Sequence, residues 1–220
     1  VCSAQAFLEA CKKPAAGIEL DNADDRVFLL EGYIFPDTYE FYLESDARSV
    51  VDKFIENYNS KITDEMKQRA KTLGYTMDQM ITLASVIQKE CDADIDECAN
   101  VSSVFHNRLK DPASFPKLES DVTTFYISQN LKDVIGYQDG VALENQNGEV
   151  KKYMELYSTY YRSGLPVGPI CNPGLKAINA ALHPADTNYV FFLTDESGEH
   201  FYYASTIAEH NANGVKAGLF

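Results

Sequence analysis

The chain has 220 residues, enough for one large domain or two small ones and for a substantial core. A formal net charge of −14 at pH 7 excludes general nucleic-acid binding, which needs basic surface to displace phosphate counterions, though not a local basic cleft. No apolar run approaches the roughly 18–20 residues of a membrane span, and no signal peptide is visible.

Residues 1–29 read as a lead-in: a short helix from Ala4 to Lys12, then Pro14 and Gly17, then the polar stretch Asp21–Arg26. The amphipathic pattern already running at Val1 suggests a fragment whose upstream region is missing. Residues 29–41, LLEGYIFPDTYEF, are aromatic and broken by Gly32 and Pro36, which fits strand–turn–strand or an irregular loop. A helix follows from Ser45 to Asn59, with Ser45 as N-cap and Val50, Val51, Phe54, Ile55 and Tyr58 on its apolar face. Another runs from Thr63 to Leu73 and stops at Gly74.

Residues 76–90, TMDQMITLASVIQKE, form the central helix. Thr76 and Gln79 fit a capping box. Thr76, Met80, Leu83, Ile87 and Glu90 share one stripe, which is apolar until its last member. A carboxylate ending a core-facing stripe is partly desolvated, and desolvation favours the protonated form that a general acid needs. Periodicity alone is also compatible with a helix-ending Glu that reaches water.

After an acidic break at 92–96, a helix from Ile95 to Leu109 carries Val101, Val104, Phe105 and Leu109, closed by Pro112 and Pro116. Residues 118–128 read as a turn and a short helix capped by Ser120 or Asp121. Residues 129–156 look irregular, and 157–174, rich in Gly and Pro, an ordered loop. Pro173 opens a helix to Leu182. Tyr189–Thr194 and His200–Ala204 flank DESGE as a β-hairpin, and the tail from Thr206 is helical. A helical middle with strands at both ends gives α+β with an antiparallel or mixed sheet.

Of five cysteines, Cys91 and Cys98 are seven apart. On one unbroken helix their Cα atoms would lie about 10 Å apart, too far for a disulfide. A break at 92–96 would let them pair; two reduced cysteines fit the sequence as well. No metal-ligand spacing occurs among the four histidines, and Ser85 sits in no nucleophile elbow.

Seven blocks, in order, carry a resemblance: EGYIFPDTYEF, LASVIQKE, VFHNRL, LESDVTTFY, YSTYYRSGLPVGPICNPG, ALHPADTNYVFF and HFYYASTIAEHN. From residue 30 to about 213 the chain resembles the endolytic murein transglycosylase (YceG-like) family. The resemblance implies cleavage of the MurNAc–GlcNAc bond of peptidoglycan without water, leaving 1,6-anhydro-MurNAc ends and needing no cofactor or metal. It places the catalytic glutamate in LASVIQKE. Where family members often carry Glu, this chain has Gln88, which leaves Glu90 to act as general acid and then base. Asp121 is the best second carboxylate, or a helix N-cap. Glu119 stands where the family has Gln, and adds a negative charge near the expected cleft. It would raise the pKa of Glu90 or turn to solvent.

The substrate-binding candidates are Asn107, Arg108, Glu119, Ser120, Tyr157, Ser158, Thr159, Tyr160, Gly164 and Pro166, with Glu209, His210 and Asn211 orienting the site. Gly168, Pro169, Asn172 and Pro173 extend the expected rigid wall. The resemblance further implies a catalytic domain over 30–220 and, in 1–29, the remnant of a LysM-like module. It also implies a missing N-terminal membrane anchor, extracytoplasmic action on glycan strands, cell-wall synthesis proteins as partners, and no nucleic acid. A muramidase using water with Asp121, or a non-catalytic peptidoglycan-binding module, are the alternatives.

Overall fold

The structure, a computed structural model, describes residues 1–91 and 93–219. Asp92, first residue of the expected acidic break, and Phe220, last of the expected catalytic domain, lie outside them. The architecture is α+β: helices α1 (Ala4–Cys11), α2 (Ala47–Lys61), α3 (Asp64–Leu73), α4 (Met77–Glu90), α5 (Ile95–Lys110), α6 (Asp121–Phe125), α7 (Lys132–Ile135), α8 (Gly148–Tyr157), α9 (Leu175–Leu182) and α10 (Ile207–Lys216), with one hairpin, β1 (Phe191–Thr194) and β2 (Phe201–Ala204). The strands pair antiparallel, Phe191 opposite Ala204 and Thr194 opposite Phe201.

The fold is built around α4. Its capping box forms as expected, Thr76 accepting from Gln79 N and Gln79 from Thr76 N. Every residue from Met80 to Ile87 is buried, so the helix is enclosed on all sides rather than presenting one stripe. It packs chiefly on α9. The hydroxyl of Ser85 is satisfied inside this helix: its Oγ donates to Thr82 O (2.7 Å) and accepts from Ile170 N (2.9 Å), which anchors the Gly/Pro-rich loop. A buried polar group without such partners would be costly.

The lead-in is tied to the start of α4. Arg26 and Asp78 form an ion pair with side chains 0% and 3% exposed. Asp78 also accepts from Asp21 N (3.1 Å) and from the Tyr33 hydroxyl. The stretch expected as a polar linker therefore carries a buried cation. α1 packs on α2, with Phe7 edge-on to Phe54 at 5.9 Å.

Four expectations are corrected. Strands occur at the hairpin alone among the described residues, and residues 29–41 form turns: Asn172 Oδ1 accepts Gly32 N (2.8 Å) and Ile34 N (3.0 Å) in place of a neighbouring strand. A Cβ at Gly32 would lie 2.4 Å from Pro169 Cγ, so only glycine allows that approach. The N-cap of α2 is Asp46, not Ser45, because the Asp46 carboxylate reaches Ser49 N (3.0 Å). Helix α9 opens at Leu175 with Gly174 as N-cap, so Pro173 lies before it. Residues 129–156 hold α7 and most of α8. Asn147 caps α8, and Val150, Met154 and Tyr157 bury at steps of four and three.

Candidate active site

Glu90 is the last residue of α4, where the enclosed helix meets a cleft of about 640 Å³. Ser120 Oγ donates to Glu90 Oε1 at 2.5 Å. Burial pushes the Glu90 carboxyl above the usual carboxylate range; the Ser120 hydrogen bond opposes the rise, and the charge of Asp121 adds to it.

Ser120 is held by buried hydroxyls. Its N–H donates to Thr159 Oγ1 (2.9 Å), Thr159 N donates to Thr123 Oγ1 (3.0 Å), and Thr123 Oγ1 donates to Ser120 O (2.6 Å). Ser120 occupies the N-cap position of α6 without making a cap bond, its hydroxyl being spent on Glu90. Asp121 follows it, exposed, and accepts from Tyr160 Oη at 2.8 Å. Burial, then that bond, push the Tyr160 phenol up to about 12.

Arg108 is buried against the same turn. Its Nε donates to Val190 O (2.7 Å) and its Nη1 to Leu118 O (3.0 Å) and Glu119 Oε2 (3.1 Å). The guanidinium lies over the rings of Phe115 (5.4 Å) and Phe191 (5.1 Å). Glu119 has φ 55°, a left-handed backbone unusual outside glycine. Glu119 turns to Arg108, and Asp121 is the carboxylate that raises Glu90. His210 stacks on Phe191 with ring centres 5.1 Å apart. Burial, reinforced by Arg108, holds its pKa below the usual histidine range.

Apolar lining comes from β1, from the start of α10 and from the segment after it: Phe191, Phe192, Leu193, Ile207 and Leu219. A protonatable carboxyl faces an apolar, aromatic surface. That combination suits a sugar, which offers C–H faces to rings and hydroxyls to polar groups.

The structure brings Glu90, Arg108, Glu119, Ser120, Asp121, Tyr160 and His210 to this cleft. The other candidates do not line it. Asn107 Nδ2 holds the loop before β1 through Thr187 O and Tyr189 O (both 2.9 Å). Tyr157 is 1% exposed and packs on Tyr126, a core tyrosine. Ser158 and Thr159 are buried beneath the cleft: Ser158 bonds Thr124 (2.8 Å), and Thr159 supports Ser120. Gly164 and Pro166 lie in the loop whose later residues pack on 26–34: Gly168 abuts Arg26, Pro169 abuts Gly32, and Asn172 binds Gly32 and Ile34. Glu209 is the capping-box partner of Thr206, accepting from Ser205 N and Thr206 N (2.9 and 3.2 Å). Asn211 is exposed outside the cleft. Gln88 does not point idly outward; its Oε1 accepts Gly174 N (3.2 Å) at the start of α9.

The apolar lining was missed from sequence, although the hairpin pattern marked Phe191, Phe192 and Leu193 as strand. A disulfide joins Cys91, next to Glu90, to Cys98, with Cα atoms 5.6 Å apart. It ties the end of α4 to the first turn of α5. A second cavity of similar volume sits at the other end of α4, lined by Tyr33, Tyr58, Tyr75, Lys67 and Lys71. Asp78 lines it too, but is engaged by Arg26, Asp21 and Tyr33.

The profile of the YceG-like family matches residues 4–216. The chain belongs to the YceG-like family. An endolytic murein transglycosylase of Bacillus subtilis (strain 168) is 34% identical over 183 residues, covering 83% of this chain and 46% of the relative. One from Streptococcus pneumoniae serotype 2 (strain D39) is 26% identical over 186 residues, covering 84% and 32%. The chain thus spans less than half the length of these relatives. The crystal structure of a yceG-like protein from Listeria monocytogenes superposes with a TM-score of 0.73 at 25% identity, over 96% of this chain and 67% of that one.

Proposed function

We propose that this YceG-like chain is the catalytic part of an endolytic peptidoglycan lytic transglycosylase, with Glu90 as its acid and base. The observation that carries this reading is the desolvated Glu90 carboxyl, bound to Ser120 and facing an apolar cleft wall. Relatives bearing the name endolytic murein transglycosylase support the substrate.

In the proposed reaction, protonated Glu90 gives its proton to the oxygen of the MurNAc–GlcNAc bond as that bond breaks through an oxocarbenium-like state. The carboxylate left behind takes the proton of the MurNAc C6 hydroxyl. That oxygen attacks C1 of the same sugar and closes the 1,6-anhydro ring. One carboxylate serves both steps because the nucleophile is intramolecular and already close. Ser120 steadies the carboxylate between the steps. Asp121, fixed by Tyr160, places a negative charge beside the developing cation.

Asp121 also supports a second reading. It is exposed in the same cleft, and as a base on water it would make the enzyme a muramidase. Mass spectrometry of digested glycan separates the two. Anhydro ends support the transglycosylase, and ends heavier by one water support the muramidase.

Residues 1–29 are proposed as the remnant of a LysM-like module preceding a catalytic domain over 30–220, in a protein anchored to the membrane further upstream and working with cell-wall synthesis proteins. Among the described residues no helix is long and apolar enough to cross a membrane. The Cys91–Cys98 disulfide favours an oxidising, extracytoplasmic setting.

A further inference from the structure

The cleft holds more negative than positive charge. Its acidic side chains are Glu90, Glu119 and Asp121, while Arg108 is its one Lys or Arg among the described residues. Arg108 is already committed: Val190 O, Leu118 O and Glu119 take its hydrogen bonds, and two aromatic rings cover its faces. The charge of that guanidinium is already paired with Glu119, which weakens its pull on a carboxylate of a bound glycan. Burial and Arg108 keep His210 towards its neutral form, so it supplies little positive charge.

Glu119 is the unusual member. Its side chain is 53% exposed while its Arg108 partner is 8% exposed. Its backbone sits at φ 55°, where a non-glycine residue pays a steric cost, and such outliers point to function when a side chain is kept there. The turn is pinned on both sides, Glu119 N donating to Thr159 O (3.3 Å) and Ser120 N to Thr159 Oγ1 (2.9 Å). Glu119 and Asp121 therefore flank the residue that touches Glu90.

We propose that Glu119 is a specificity-determining residue: it occupies Arg108 and turns the cleft against free carboxylates, so that the preferred substrate is glycan whose stem-peptide carboxylates are amidated or absent. This rests on the peptidoglycan-cleaving reading above and adds the substrate class. A bound glycan carrying a stem carboxylate near this turn meets Glu119 and Asp121, and the one guanidinium there is already paired to Glu119. The resulting discrimination is about threefold to tenfold, the effect of one like-charge contact across roughly 7 Å of partly hydrated cleft. Because the groups are hydrated, added salt should shrink it.

The test compares kcat/KM of wild type and Glu119→Gln on two uncrosslinked glycans that differ only in whether their stem carboxylates are free or amidated. Wild type is expected to favour the amidated glycan by about threefold to tenfold, mainly through KM. Glu119→Gln, which keeps the shape and a hydrogen bond to Arg108, should bring the two within about twofold. If Glu119 only anchors Arg108, the variant slows both glycans alike and the ratio stays fixed, which overturns the proposal. Equal use of both glycans by wild type also overturns it. Wild type that cleaves neither glycan refutes the transglycosylase reading. The ratio of their dissociation constants, measured by calorimetry on the same two proteins, then still decides the role of Glu119.

Discussion

Asp78→Ala is the perturbation whose size the structure best defines. The carboxylate is 3% exposed and its partner Arg26 is 0% exposed, so water cannot replace the lost ion pair. Arg26 Nε and Nη1 already lack protein partners, so the variant would leave a buried guanidinium held by little more than the Asp21 carbonyl (2.9 Å). Tyr33 would lose its hydroxyl partner as well. Removing one member of a buried pair typically costs about 3–5 kcal/mol. For a chain of this length each kcal/mol moves Tm by about 2–4 °C, giving a loss of about 6–20 °C. Asp78→Asn, which keeps the shape but not the charge, should lose most of the same amount. Thermal unfolding followed by circular dichroism measures both. The site lies about 20 Å along α4 from Glu90, so activity per folded molecule should persist below the transition. A variant melting within about 2 °C of wild type would refute the reasoning, because the lead-in would then not depend on this pair.

Three further outcomes are expected. Ser120→Ala removes the hydrogen bond that opposes the rise of the Glu90 pKa, so Glu90 stays protonated to higher pH and the alkaline limb of kcat/KM should move upward; an unmoved limb contradicts the contact. Glu90→Gln should melt higher than wild type near neutral pH. With a folded pKa raised above the unfolded one, wild type loses stability as pH rises through that window, and the two proteins should converge below the ordinary carboxylate range. Replacing Cys91 and Cys98 by Ser should cost about 2–3 kcal/mol through the short loop they close, read as a lowered Tm that reductant reproduces in wild type; no change in either would contradict a stabilising disulfide.

Much of this arrangement was legible in the sequence because its signals are local. The Thr76–Gln79 capping box and the Gly74 stop fixed α3 and α4 almost to the residue, and the DESGE turn fixed the hairpin. Glu90 could be singled out because the apolar run of α4 ends on it. What stayed hidden was long-range. Nothing in the pattern of residues 21–26 says that Arg26 will meet Asp78, fifty-two residues away. Residues 157–174 were expected to wall the cleft, yet only Tyr160 reaches it. The Pro-rich half instead fills the gap beside Gly32, a contact set by tertiary packing. Helix α8 was overlooked because residues 129–156 are polar and look irregular, although Asn147 is the cap and the helix starts at Gly148. Thr159 supports the acid only through Ser120, a role no spacing announces.

The most direct measurement is digestion of purified peptidoglycan by wild type and by Glu90→Gln, read by mass spectrometry. The proposed mechanism predicts anhydro-muramyl products from wild type, with the rate of the variant reduced at least about 10²–10⁴-fold while glycan binding and folding are kept. Undiminished release of those products by Glu90→Gln would contradict it.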